Sequence, residues 1–174
     1  MPLRASIEKR VGVAEITRGA GLTHGGLHRD FESKEALARE ACLLAFEWTI
    51  TPLDELEFSQ ESDAAFQKKL HVLVHGYLSL AHRDQPGEGC PAAALATEAA
   101  RAGYGMSEVF AQGVERNIQR FMQVLEGDDA AKRTQTIVVL SSMVGALVLA
   151  QATAVGNPAL SEEILTTLRT HLAP

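Results

Sequence analysis

The chain has 174 residues, of which 46% are hydrophobic, 22% charged and 5% aromatic. This length suits one small domain or two helical domains that share an interface, and the composition is ordinary for a soluble helical protein. The net charge of −6 argues against a general nucleic-acid coat protein. The two cysteines are too few for a disulfide framework or a zinc site.

The charge is unevenly distributed along the chain. Residues 1–40 carry 7 basic and 6 acidic side chains, whereas residues 41–174 carry 9 basic and 16 acidic ones. A small nucleic-acid-reading head of charge +1, followed by an acidic body of charge −7, is consistent with this distribution. No basic-then-apolar signal sequence opens the chain, so the expected compartment is the cytoplasm.

Residues 13–39 predict two short helices joined by a sharp turn and followed by the start of a longer helix. Gly19 and Gly21 break the first helix, Thr23 is a plausible N-cap for the second, and Ser33 caps the third. Two short helices around a turn that contains glycine form a helix-turn-helix, whose second helix can enter the DNA major groove.

This segment resembles the DNA-binding signature of the tetracycline-repressor (TetR) family. The resemblance rests on Ala14-Glu15-Ile16, Ala20-Gly21-Leu22-Thr23, Gly25, Phe31 and Ser33-Lys34-Glu35-Ala36-Leu37. A second stretch, Gly89 to Leu95 together with Gly145-Ala146-Leu147, is similar to the effector domain of one TetR subgroup. The resemblance implies an all-α homodimeric transcriptional regulator, usually a repressor that a small molecule releases from a palindromic operator.

The resemblance also implies which residues of the head meet DNA: Thr17, Arg18, Thr23, His24, Gly25, His28, Arg29 and Lys34. Thr23 to Gly25 lie near the N-terminal end of the second helix, which meets base edges. Family members usually have Tyr in place of His28 and often His in place of Asp30. An acidic Asp30 should repel phosphate, which predicts a weakened head.

The first twelve residues depart from the family pattern. Family members carry a full helix before the helix-turn-helix, whereas here only Leu3, Ile7 and Val11 recur at a spacing of four. They allow two helical turns, which are marginal without packing. Either the chain is shortened at its start or the head is degenerate.

The remaining pattern predicts helices only and places the head in residues 1–45 and a helical effector-binding and dimerisation domain in residues 46–174. Apolar residues recur at helical spacing in each predicted helix, and Gly, Pro or an N-cap residue separates the helices. The predicted helices are 33–50, 63–84, 91–102, 107–126, 128–155 and 161–172.

The apolar faces of the body predict a pocket for a small apolar or aromatic effector. Its expected lining is Trp48, Phe66, His71, His75, Tyr77, Cys90, Phe110 and Phe121. His71, His75 and His82 share one helical stripe, which predicts a polar or pocket-lining row; the alternative is a metal site, although no carboxylate or Cys completes a ligand set. Cys90 is a small buried thiol or, at a helix start, a reactive one.

The uncharged run from Gln135 to Asn157 predicts a helix buried on nearly all sides, because its polar residues make it a poor membrane span. Such a helix forms the centre of the monomer, a dimer interface, or both. The residues expected at a dimer interface are Ser142, Met143, Gly145, Ala146, Leu149, Leu165 and Leu168.

Enzyme signatures are missing from the sequence: it has no Gly-x-Ser-x-Gly, no phosphate-binding glycine loop and no zinc-protease helix motif. The expectation is a regulator that is not an enzyme and holds no cofactor or metal, with double-stranded DNA and an effector as its partners. The alternative is a dimeric small-molecule-binding protein whose head has lost DNA binding, and a helical enzyme is the third class.

Overall fold

The computed structural model describes residue 19 and residues 31–54, 63–123, 125 and 127–173. Every regular element within these residues is an α-helix. In chain order they are α1 (Lys34–Asp54), α2 (Asp63–Tyr77), α3 (Leu80–Asp84), α4 (Pro91–Arg101), α5 (Tyr104–Met122), α6 (Asp129–Thr153) and α7 (Pro158–Leu172). The all-α fold predicted from the sequence is therefore confirmed.

The chain divides into two compact units, Met1–Ala41 and Cys42–Pro174. In the first unit, Ser33 caps α1 as predicted, because its hydroxyl accepts a hydrogen bond from the Ala36 N–H at 3.0 Å. Helix α1 is predicted to end at residue 50 but continues past Pro52 to Asp54. A proline in the last turn removes only one helical hydrogen bond, so the helix tolerates it there.

Helix α6 is the centre of the second unit, and helices α3, α4, α5 and α7 all pack against it. It begins where the sequence predicts, because the Asp128 carboxylate accepts hydrogen bonds from the N–H groups of Ala130 and Ala131. Its buried face contributes Met143, Ala146 and Ala150 to a core that also contains Val74 and Leu78 of the α2 region and Leu165 of α7.

The opposite face of α6 is exposed and apolar. Four of its residues are between 37% and 57% exposed: Ile137, Val138, Val148 and Leu149. The prediction that this helix is buried on nearly all sides is therefore wrong. By length and composition alone α6 could also cross a membrane, and 28% of its most apolar window is buried. Its buried face lies in the core, and its exposed face has no cover within the described residues.

Candidate functional site

A cavity of about 950 Å³ lies within the second unit. Its walls come from α2, α3, α4, α5, α6 and the loop between α3 and α4. Most of the lining is apolar: Val72, Leu73, Ala81, Ala92, Ala96, Phe110, Val114, Phe121, Leu140 and Val144. A cavity of this size and polarity is typical of sites for small organic molecules.

Phe110, an aromatic residue of the cavity wall, lies where α1 approaches α5 closely. Phe46 is fully buried and meets Phe110 edge-to-face, with ring centroids 5.5 Å apart. The Phe46 ring lies directly against Gly113, where the Cβ of any other residue would clash with it. The glycine therefore lets the Phe46 ring enter the core beside Phe110, which lines the cavity.

A small group of polar side chains forms one corner of the cavity: Tyr77, His82 and Cys90. The Tyr77 and His82 rings meet edge-to-face with centroids 4.7 Å apart. The Tyr77 hydroxyl oxygen is buried and has no hydrogen-bond partner among the described residues. Burial and the neighbouring Cys90 thiol raise the pKa of Tyr77, so the phenol is neutral.

Hydrogen bonds to both ring nitrogens fix the protonation of His82. Nε2 lies 2.9 Å from the Cys90 backbone nitrogen, which can only donate, so Nε2 accepts. Nδ1 lies 2.7 Å from the Tyr77 carbonyl oxygen, which can only accept, so Nδ1 carries the proton. The imidazole is therefore neutral, and both of its nitrogens are engaged by the protein.

Gly89 makes room for this arrangement. A Cβ at position 89 would lie 2.5 Å from His82 Nε2, inside any allowed contact distance. The Gly89-Cys90-Pro91 sequence thus places a backbone N–H on the imidazole and then starts α4, with Pro91 at its first position.

The cavity contains four of the residues predicted to line a ligand pocket, namely Tyr77, Cys90, Phe110 and Phe121. His71 and His75 lie outside its lining and stack on each other with centroids 3.8 Å apart. Partial burial and the neighbouring His71 lower the pKa of His75. Within the described residues, no cluster of His, Cys, Asp or Glu suits a metal ion. The side chains of Trp48 and Phe66 lie outside the described residues.

His82 does not continue the predicted histidine stripe, because helix α2, which carries His71 and His75, ends before it. The Ser79 hydroxyl accepts the His82 N–H and caps a new helix, α3, so the stripe does not continue from His75. Asn117, also in the lining, was missed because it lies among polar residues on α5 whose pattern resembles a solvated face. Ser79 was the one signal that could have predicted the break.

The residues predicted at a dimer interface divide into two groups. Met143, Ala146 and Leu165 are buried in the core of their own chain, and Leu168 packs beside that core. Ser142 is half-buried, whereas Gly145 and Leu149 are exposed. Gly145 also lines the cavity. Of the predicted residues, Gly145 and Leu149 are the exposed ones and so are open to a partner.

The predicted DNA-contacting residues lie almost entirely outside the described residues: Thr17, Arg18, Thr23, His24, Gly25, His28 and Arg29. Lys34 is described, exposed, and the first residue of α1. The predicted metal-free, cofactor-free character of the chain stays a prediction.

A helical unit that contains an apolar cavity follows the segment for which the sequence predicts a helix-turn-helix. Residues 9–41 match the family model described as bacterial regulatory proteins, tetR family, and the match ends at Ala41, where the first compact unit ends. This similarity covers 33 of the 174 residues and supports a DNA-binding regulator of the tetR family. No curated protein matches it significantly.

Proposed function

We propose that this chain is a cytoplasmic repressor that binds a palindromic operator as a homodimer and leaves it when a small molecule occupies the cavity. The observation that carries the proposal is the apolar cavity of about 950 Å³ in a chain whose residues 9–41 match the tetR family. A ligand that binds one conformation better than the other shifts the balance between them.

The exposed face of α6 supports a homodimer. Val138 and Leu149 are each 57% exposed, and eleven residues, about three helical turns, separate them, so they lie on one stripe. Gly145 and Ala152 lie on the same stripe, are exposed, and permit close approach of a second helix. A contiguous exposed apolar stripe is typical of an interface rather than of a free monomer surface.

The test is fluorescence anisotropy of a labelled duplex taken from the DNA upstream of the chain's own coding sequence. We expect saturable binding that a cavity ligand reverses. A ligand at a hundredfold excess over its dissociation constant should stabilise the protein by about 2.7 kcal/mol. Ligand stabilisation without binding to any DNA would instead support the alternative, a small-molecule-binding protein with a degenerate head.

A further inference from the structure

The mouth of the cavity lies beside the exposed face of α6. We propose that a second copy of this chain packs on that face, covers the mouth and completes the binding site, so that ligand binding and dimerisation strengthen each other. This coupling rests on the ligand-binding role and the homodimer proposed above. A single copy then holds an open site, and the dimer holds a closed one.

One side of the mouth is formed by four uncharged residues, which are named here the helical rim: Val72 and Gly76 of α2, and Ser141 and Gly145 of α6. All four line the cavity and are exposed, Val72 by 58%. In each helix the two residues are four apart, so they lie on the same side of that helix. Because the helical rim is exposed, no described residue closes the cavity here.

On α6 the helical rim merges with the apolar stripe. Successive residues of a helix turn by about 100°, so five exposed residues of α6 fall within about 80° of its circumference. They are Val138, Ser141, Gly145, Leu149 and Ala152. The half-buried Leu140 and Val144, which also line the cavity, fall within about the next 100°. A helix packed on the stripe therefore lies along the edge of the mouth.

The stripe is complementary in size to itself. A two-fold axis at Gly145 places residues at equal distances before and after it opposite each other in an antiparallel pair of helices. Leu149 of one copy then meets Ser141 of the other, and Val138 meets Ala152. Each larger side chain faces a smaller one. Because Ser141 belongs to the helical rim, Leu149 of the second copy lies over the mouth.

Charge also favours a second copy over a different partner. The chain has a net charge of −6, but residues 135–157 carry no charged side chain. Two acidic chains repel each other least where an uncharged face meets its own copy, and a basic partner finds no carboxylate on this face. Burying the stripe and the helical rim leaves no unpaired charge behind.

The first test measures whether the dimer protects the helical rim from N-ethylmaleimide. Gly76→Cys places a thiol on the rim but outside α6, and a Cβ at this position meets nothing within 4 Å. The same substitution in a Leu149→Glu background gives the monomer, because a buried carboxylate opposes dimerisation. Where sedimentation shows a saturated dimer, the thiol should react at least about fivefold more slowly than in the monomer, since reaction needs the dissociated chain.

Gly87→Cys is the matched control, because Gly87 is exposed, accepts a Cβ equally well and lies outside the lining. Its thiol should react equally fast in both backgrounds, and the native chain gives the rate of the buried Cys42 and Cys90. Val72→Cys on the same rim replaces Gly76→Cys if that variant itself fails to dimerise. A dimer whose rim thiol reacts as fast as the monomer's would overturn the cover and leave the proposed repressor standing.

The second test measures the coupling with N-phenyl-1-naphthylamine, an uncharged apolar dye that fluoresces more strongly in apolar sites. The dye should bind Leu149→Glu at least about fivefold more weakly than the wild-type dimer, and it should tighten the wild-type dimer in sedimentation, because coupling is reciprocal. Leu80→Glu is the control for the added charge, since Leu80 is 42% exposed and lies outside the lining.

Dilution of the wild type below its dimer dissociation constant should weaken dye binding in the same way without any substitution. Equal dye affinity in monomer and dimer would overturn the coupling, and so would a wild-type chain that does not bind the dye. A wild type that stays monomeric would overturn the homodimer as well, whereas the anisotropy assay reports DNA binding independently.

Discussion

His82 shows how a few neighbouring residues decide what a side chain does. In the sequence, His82 continues a stripe with His71 and His75. In the structure, the Ser79 hydroxyl caps a new helix, and His82 on that helix lines the cavity. Gly89 then allows the chain to pass close enough for the Cys90 N–H to bond Nε2. Composition and spacing predicted Tyr77 and Cys90 in the pocket but not this link between them.

At the residue scale, Gly89→Ala should destabilise the chain by about 1–3 kcal/mol, because the new methyl group would force the His82 ring away from Cys90. Gly87→Ala is the control in the same loop, since a Cβ there meets nothing within 4 Å. Urea denaturation followed by circular dichroism measures both. Equal stability of the two variants would show that the contact around His82 is unimportant.

Helical periodicity predicted the existence of the helices better than their ends. The sequence predicted the helix starts correctly where one side chain caps the helix, as with Ser33 and Asp128. The predicted 63–84 helix was wrong across Leu78 and Ser79, because Leu78 is fully buried and fits either a continuous or a broken helix. The last helix begins at Pro158, because the Asn157 side chain accepts the Leu160 N–H and caps it there.

At the element scale, an ion pair joins α5 to α6. The two terminal guanidinium nitrogens of Arg133 each donate to one carboxylate oxygen of Glu115 at 2.7 Å, and Gln119 donates a third hydrogen bond at 2.7 Å. The hydrogen bond from Arg133, followed by that from Gln119, lowers the pKa of Glu115 to about 2. Because the two side chains are 42% and 47% exposed, the contribution to stability should be small.

The sign of the pH dependence of this ion pair's contribution to stability follows from the lowered pKa of Glu115. The folded chain holds the Glu115 carboxylate charged, so its contribution is present above the unfolded pKa, about 4.3, and is lost as the pH falls towards 2. Glu115→Gln should therefore be less stable than wild type at pH 6, and the two should converge near pH 2. Urea titrations across this range test this, with Glu108→Gln on the same helix as control. A difference that does not change with pH would contradict it.

At the scale of the whole molecule, one face of α6 is buried in the core and the other is exposed. The sequence predicted an apolar helix of this length but could not distribute its residues between the two roles. Leu149 is exposed whereas Leu147 is fully buried, a difference that depends on which face meets α7 and Val74. The sequence predicted the apolar helix faces that line the cavity but not the shape of the cavity, because that shape depends on where α2 ends.

Leu149→Glu should weaken the proposed homodimer by at least about tenfold, because a carboxylate would be buried without a partner at the interface. Leu80→Glu is the control, since Leu80 is 42% exposed but lies on α3, outside the apolar stripe of α6. Sedimentation equilibrium at micromolar concentration measures both variants. A wild-type chain that is monomeric at this concentration would contradict the homodimer.

In the proposed homodimer, the two second helices of the predicted helix-turn-helix must lie roughly 34–36 Å apart to enter successive major grooves. The sequence predicts a head that binds more weakly than that of a typical relative. Its charge is only +1, and Asp30 stands where a phosphate-facing His is common in the family. Fewer phosphate contacts release fewer counterions, so the affinity should be low and its salt dependence shallow.

Asp30→His should strengthen binding to every sequence alike, because a phosphate contact positions the protein without specifying bases. Changing Thr23 or His24 should instead alter the preferred sequence, because the sequence predicts these residues at the end of the helix that meets base edges. The measurement is an anisotropy titration of wild type and Asp30→His on one palindromic and one random duplex at several salt concentrations. Nanomolar wild-type binding to the palindrome in physiological salt, unchanged by Asp30→His, would show that the head is not weakened.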